Sequence, residues 1–355
     1  MKCSRIPEFP YSRFSQDIHA KSIKQRIPVN GTLELTYRCN LACRHCYCPP
    51  LINKELTYQQ ICRLLDELAS SGCLWLLITG GEPLLRRDFA DIYVYAKKKG
   101  FIVNIFTNAT LIDKKIINTF KKYPPFNIEV TLYGADTKTY ESVTLSKGSF
   151  KRCLRGIRLL RRAKINLSLK ATVNILNFGQ VFAMKKYSAK LGLDFRFDAT
   201  IHPRLDKDKA NCLWRIGADT AAGFDVKDLD RKRSWKEYLV KFNNKRSGRR
   251  IFRCLGGQNS FNIDPYGELN ICDMFYGQGY DLFSGSFMQG WNDFIPKFLK
   301  GEYSKKTACL ACPAVDFCDQ CPGWSWLENN DIKKARVEYL CQIAYNRVRL
   351  LGWGK

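Results

Sequence analysis

The chain has 355 residues, of which 45% are apolar and 26% charged, and a formal net charge of +25. That balance excludes a disordered or fibrous chain, no apolar run approaches the roughly 18 residues a membrane span needs, and Lys2 and Arg5 with no apolar h-region are not a secretory signal. The expected address is therefore cytoplasmic, where sixteen cysteines read as metal ligands rather than disulfides.

Residues 1–29, with Pro7, Pro10 and Pro28 and little periodicity, read as an extended N-terminal arm packing on the main domain. From residue 30 to about 200, strand patterns at 32–36, 74–79, 101–107, 126–132, 166–173 and 194–200 alternate with amphipathic stretches at 58–71, 88–99, 113–122, 150–163 and 180–191. Several of these stretches begin at an Asp or Thr able to cap a helix. Serial βα units imply a parallel sheet, and right-handed crossovers curl it into an open, partial (β/α)6 barrel of TIM-like, α/β class. Chemistry in such barrels sits at the C-terminal ends of the strands. The alternation then fails. A charged segment at 203–212, a small-residue run at 217–223 and a basic stretch at 231–250 read as a linker and a last barrel helix, closing a unit at residues 30–250. Residues 251–355 form a cysteine-rich C-terminal unit.

The positive charge lies in patches at 97–99, 114–115, 161–162, 231–233 and 245–250 rather than in one tail. It raises the local concentration of anionic partners. RNA, an acidic peptide or an acidic protein would each suit it, but no RNA-binding motif is present, which disfavours nucleic acid, and solvated helix faces account for most of it.

Two cysteine groups stand out. Cys39, Cys43 and Cys46, spaced C-x3-C-x2-C directly after the first strand, can all reach one metal centre, and soft thiolates select zinc, Cu(I) or iron–sulfur clusters. A structural zinc site wants four closed ligands, so three are the wrong number for it. Toward the C-terminus, Cys254 and Cys272 flank a hairpin pattern with an Asp264-Pro265-Tyr266-Gly267 turn. Cys309, Cys312, Cys318 and Cys321 follow at C-x2-C-x5-C-x2-C, then Cys341. Two C-x2-C pairs alone would also fit a zinc ribbon.

The first triplet resembles the radical S-adenosylmethionine (SAM) superfamily, in which three cysteines hold a four-iron cluster and the open iron is chelated by SAM. The resemblance places His45 and Tyr47 beside that cluster. It implies that Gly80, Gly81 and Glu82, in the loop after strand two, hold the SAM amino group, and that Thr107 and Asn108 lie near its ribose. Ala109 replaces the family's usual glycine, as though Asn108 needed no glycine neighbour. Lys170 is either a partner for the SAM carboxylate or a plain solvent-facing lysine. The seven C-terminal cysteines resemble the SPASM extension, which binds two auxiliary four-iron clusters. Carried over, Cys309, Cys312, Cys318 and Cys341 complete one, and Cys254, Cys272 and Cys321 hold the other, with its fourth site left open or filled otherwise. The final C-x2-C, where the family has C-x3-C, is a departure that bears on Cys321. Asp273 matches an acid/base residue of SPASM-type sulfatase maturases, or simply orders its loop.

Three [4Fe–4S] clusters and SAM are thus the implied cofactors. The implied chemistry is reductive cleavage of SAM to a 5′-deoxyadenosyl radical that removes a hydrogen atom from a substrate. A ribosomally made precursor peptide with an acidic leader is the expected substrate, and crosslinking or excision the expected outcome. A separate leader-recognition protein and an electron donor such as flavodoxin or ferredoxin are the expected partners. Formylglycine formation on a protein, modification of tRNA or a small molecule, and a non-catalytic electron-transfer module are the alternatives; the intact Gly-Gly-Glu loop speaks against the last.

Overall fold

The computed structural model describes residues 11–242 and 248–351; residues 1–10 of the expected arm and 243–247 of the last basic run lie outside them. The described part of the arm is largely helical rather than extended. Tyr11–Gln25 form helix α1, and the residue after it is tied to the C-terminal half: Arg26 Nη2 donates to Trp291 O (2.8 Å) and Trp291 Nε1 donates back to Arg26 O (2.6 Å). The prolines that suggested an extended arm flank this helix, and its anchors lie some 265 positions away, where sequence reading cannot find them.

Six βα strands follow: β1 (Asn30–Glu34), β2 (Trp75–Thr79), β3 (Ile102–Thr107), β4 (Asn127–Thr131), β5 (Leu167–Thr172) and β6 (Phe195–Asp198). They pair in parallel in sequence order. Helices α2 (Tyr58–Ser70), α3 (Phe89–Lys98), α4 (Lys114–Lys122), α5 (Thr137–Thr144), α6 (Ser149–Arg162) and α7 (Val181–Lys190) connect them. Thr57 begins α2 in a reciprocal capping box with Gln60, and Asp113 caps α4 through Ile116 N (2.8 Å). Asp88 makes no cap bond; it pairs with Arg86 instead (2.7 Å). Helix α5 lies in a polar stretch with three threonines, whose weak helix preference hides it from the periodicity.

Strand residues alternate between two unlike faces. Val103 and Ile105, Ile128 and Val130, Leu169 and Ala171 are buried under the helices, packed on Leu65 and Leu68 of α2 and on Phe89, Ile92 and Phe120 of α3 and α4. The opposite face carries Asn104, Glu129, Ser168, Lys170 and Arg196 and lines the hollow of the open barrel.

The sheet does not close, because β1 takes a different second neighbour. After α8 (Ala218–Lys227) and α9 (Leu229–Phe242), strand β7 (Ser260–Ile263) pairs in parallel with β1. It turns into β8 (Glu268–Asn270), and β9 (Tyr280–Asp281) ends the nine-stranded sheet. The small-residue run read as linker is thus mostly helix α8, for which alanine is well suited. Helices α10 (Phe287–Gln289), α11 (Ile295–Leu299), α12 (Pro322–Asn329) and α13 (Glu338–Leu351) complete the described chain. No helix among the described residues is long and apolar enough to cross a membrane.

Leu65 is fully buried between α2 and the sheet. Leu65→Ala should lower unfolding free energy by about 2–5 kcal/mol, read as a lower urea midpoint at unchanged slope.

Candidate functional site

The segment after β1 is fixed before any ligand is considered. Glu55 binds it at three places, accepting from Thr36 Oγ1 (2.5 Å), Tyr37 N (3.2 Å) and the Arg38 guanidinium (2.9 Å). Buried Arg86 donates to Leu35 O (3.0 Å) and Leu56 O (2.9 Å). Farther on, Ala42 N and Arg44 N bond to Thr144 O and Val143 O at the end of α5 (3.0 Å each). Cys39, Cys43 and Cys46 are thereby presented on one wall of a cavity of about 460 Å³ at the C-terminal ends of the strands, with His45, Tyr47 and Cys48 beside them.

Three thiols on one cavity wall are a donor set of the soft kind that holds iron–sulfur clusters. Cys39 Sγ accepts from Leu41 N (3.4 Å) and Asn108 Nδ2 (3.8 Å), contacts of the kind that tune a cluster sulfur. Without iron, burial pushes the Cys39 thiol up to about 11 and raises Cys43 as well, while a hydrogen bond from the Cys48 thiol draws Cys46 down to about 7. His45 is buried against Tyr133 and held neutral, its pKa pushed down to about 4 by desolvation. Tyr47 packs on His202 with ring centres 5.5 Å apart.

The glycines of the next loop serve a close backbone approach. Gly80 has φ +135°, and a Cβ there would meet Thr36 O at 2.2 Å; one on Gly81 would meet Arg38 O at 2.4 Å. The two loops are sewn together by Gly81 N to Thr36 O (2.6 Å) and Glu82 N to Arg38 O (2.9 Å). Gly80 and Gly81 line the cavity; the Glu82 carboxylate is turned away from it. It is fully buried and accepts from Leu84 N (3.1 Å), Thr107 Oγ1 (2.8 Å) and Asn108 N (2.7 Å), with burial raising its pKa to about 7. Thr107 and Asn108 do face the cavity. Asn108 is braced by Asn40 Oδ1 (3.0 Å) and Thr110 (2.9 Å from its N). Ala109 adopts φ +58°, the left-handed conformation a glycine favours, so replacing the residue has not relieved the loop of that geometry.

Lys170 is no solvent-facing lysine. It lines the cavity with its ammonium 3.4 Å from Glu129 and 3.1 Å from the centre of the Phe106 ring, and burial lowers its pKa to about 8. Arg196 shares Glu129 from the other side. Phe106, Thr131, Thr172, Arg196 and Asp198 were not singled out in the sequence, yet all sit at inward positions of the period-two strand pattern, which was the signal available. The C-terminal segment closes the cavity with Asp273, Met274 and Trp324, and His202 lies edge-on to Trp324 at 6.0 Å. Asp273 also accepts from Met274 N (2.9 Å), so it orders its loop and faces the cavity at once.

The seven C-terminal cysteines separate into two groups in space. Burial raises the thiols of Cys272 and Cys321, and the nearby Cys254 and Asp273 raise both further, with Cys321 adding to Cys272. Cys309, Cys312 and Cys341 line a second, open hollow between α8 and α13, and Cys318 packs with Cys312 on a small core around Leu239, Phe317 and Ala344.

Three buried carboxyls near the cavity have raised pKa values, each chiefly through burial: Glu34 to about 8, Glu82 and Asp264 to about 7. The fold therefore holds protons that the unfolded chain releases near pH 4, and the stability this gives is lost as pH climbs through 7 to 8. The melting temperature of iron-free protein should fall less steeply between pH 6.5 and 8 in Glu34→Gln than in wild type. Parallel profiles would show Glu34 ionised in the fold.

Residues 33–180 match the model of the Radical SAM superfamily. Over 340 residues the chain is 26% identical to the antilisterial bacteriocin subtilosin biosynthesis protein AlbA of Bacillus subtilis, covering 90% of this chain and 72% of that protein. It is also 26% identical over 316 residues to the mycofactocin maturase MftC of Mycolicibacterium smegmatis, covering 82% and 77%. The Fe-coproporphyrin III synthase of Methanosarcina barkeri is 34% identical, but over 42% of this chain and 38% of its own length. Among solved structures, anSMEcpe with bound AdoMet superposes with a TM-score of 0.70 at 16% identity (91% and 98% covered), and Streptococcus suis SuiB bound to precursor peptide SuiA with 0.68 at 14% (96% and 84%). The cysteine triplet and the glycine loop both lie on the matched segment, so residues 33–180 form a Radical SAM domain.

Proposed function

We propose that this chain is a maturase of ribosomally made peptides, working on a peptide that enters the cavity between the barrel and the C-terminal cysteine segment. The observation that carries this reading is the shared wall: Cys39, Cys43 and Cys46 line one side, and Asp273, Met274 and Trp324, next to Cys272 and Cys321, line another. Such a cavity sets a substrate between a SAM-cleaving centre and a second redox group. Similarity over 90% and 82% of this chain to proteins named for bacteriocin biosynthesis and mycofactocin maturation supports a peptide substrate.

Superfamily members bind SAM and a four-iron cluster. In this reading Cys39, Cys43 and Cys46 hold that cluster, Cys309, Cys312, Cys318 and Cys341 hold a second, and Cys254, Cys272 and Cys321 a third. When bound, the first cluster and SAM supply a radical able to remove an unactivated hydrogen atom, chemistry that belongs to the cofactors. The chain's own residues position and shield. Gly80 and Gly81 let SAM's amino end approach the backbone, Thr107 and Asn108 face its sugar, and Glu82 acts at one remove by fixing both. Lys170 and Arg196 offer positive charge to a carboxylate at the cavity floor. Asp273 holds or accepts a proton on the substrate side, a position that also suits formylglycine formation as the second reading. The basic surface would draw in an acidic leader, and a small acidic electron donor such as flavodoxin or ferredoxin is the partner that chemistry requires.

Anaerobic reconstitution with iron and sulfide tests this. Wild type should bind about twelve irons and the Cys39→Ala/Cys43→Ala/Cys46→Ala variant about eight, with 5′-deoxyadenosine formed by wild type alone. Binding of only about four irons by wild type, or cleavage surviving in the variant, would overturn the assignment. A mass change in a peptide encoded beside the gene would separate peptide maturation from the formylglycine reading, which requires a protein target.

A further inference from the structure

A buried ion network outside the cavity ends on the second cysteine group. Asp225 of α8 is fully buried. Its Oδ1 accepts from Arg231 Nε (2.8 Å) and Nη2 (2.6 Å), and its Oδ2 from Arg347 Nε (2.6 Å). Arg231 reaches back to Phe197 O on β6 (3.1 Å). Arg347 Nη1 reaches forward to Phe317 O (3.0 Å) and Asp319 Oδ2 (2.5 Å), the residues on either side of Cys318. Its guanidinium lies 4.7 Å from the Trp235 ring centre, and Trp235 stacks on Phe317. Arg347 and Cys341 belong to the same helix, α13. One side chain therefore grips the loop of Cys318 while it is rigidly attached to the helix of Cys341, and the whole is tied through Asp225 and Arg231 to the last barrel strand.

We propose that Arg347 is the positioning residue of this cysteine group, setting the separation of Cys318 and Cys341 before iron arrives. The inference rests on the reading that Cys309, Cys312, Cys318 and Cys341 hold a cluster. Two of those ligands come from segments more than twenty positions apart in sequence, and nothing local fixes their spacing. Iron binding to a site that must first be gathered is opposed by the cost of ordering it; a planar guanidinium with donors in a fixed fork removes that cost. A lysine at 347 would still neutralise Asp225 but, as a single point charge, would not hold Phe317 O and Asp319 together.

The test compares the full-length wild type with Arg347→Lys, Arg347→Met and a Cys318→Ala/Cys341→Ala reference, all reconstituted anaerobically with ferrous iron and sulfide. Wild type should hold about twelve irons, and both Arg347 variants about eight, like the reference. In the Arg347 variants far-UV circular dichroism should match wild type, and the SAM-induced change in the electron paramagnetic resonance of the first cluster should persist. That change is a readout which general unfolding would abolish. Should Arg347→Met lose its circular dichroism, Arg347→Lys decides alone, and its unfolding too would mean that Arg347 only maintains the fold. Variants that keep about twelve irons and unaltered cluster spectra overturn the proposal by itself; a wild type that stops at about eight or fewer overturns the cluster reading and this inference with it.

Discussion

A single buried carboxylate, that of Glu82, holds the site's loops in register. A carboxylate out of water must be met by donors, and these come from three places: its own loop at Leu84, and Thr107 and Asn108 at the end of the next strand. The backbone of the same loop donates from Gly81 and Glu82 into Thr36 and Arg38, the residues that lead to Cys39. Three consecutive strand ends are thereby made one rigid unit. Only glycine permits that approach at positions 80 and 81, since any Cβ would overlap a carbonyl oxygen of the cysteine loop.

The same logic of packed faces explains why the cavity lies where it does. One face of the parallel sheet is apolar and covered by helices, as buried parallel strands require. The other is polar and lines the hollow of the open barrel. Glu129, Lys170 and Arg196 satisfy one another there, with Lys170 also resting on Phe106. The hollow is capped not by closure of the barrel but by the C-terminal segment, which joins the sheet through β7 on β1 and so brings Asp273 and Trp324 over it. A continuous sheet thus sets the distance between the two cysteine-bearing halves.

Much of this was legible in the chain. The strand alternation placed six parallel strands within a residue or two, because hydrophobic period and turn chemistry are local signals. The cysteine spacings and the Gly-Gly-Glu run were equally readable, since they record which backbone and side-chain groups stand at a strand end. Errors arose where local preference was weak or misleading: prolines flanking α1 suggested an extended arm, threonines concealed α5, and Gly217 with its small neighbours passed for a linker rather than the start of α8.

The sequence by itself determined the order of βα units, the two sets of thiols and the loop that meets the first set, because each depends on residues near one another in the chain. Tertiary structure alone decided which way side chains at those positions turn. It directed Glu82 into the protein rather than the cavity, Lys170 onto Glu129 and Phe106 rather than into solvent, and Asp273 onto the cavity wall. It also gathered Cys254 with Cys272 and Cys321, and placed Arg347 between the segments of Cys318 and Cys341. Those outcomes depend on contacts between segments tens to hundreds of residues apart, where the burial and charge that orient a side chain come into being only once the chain has folded.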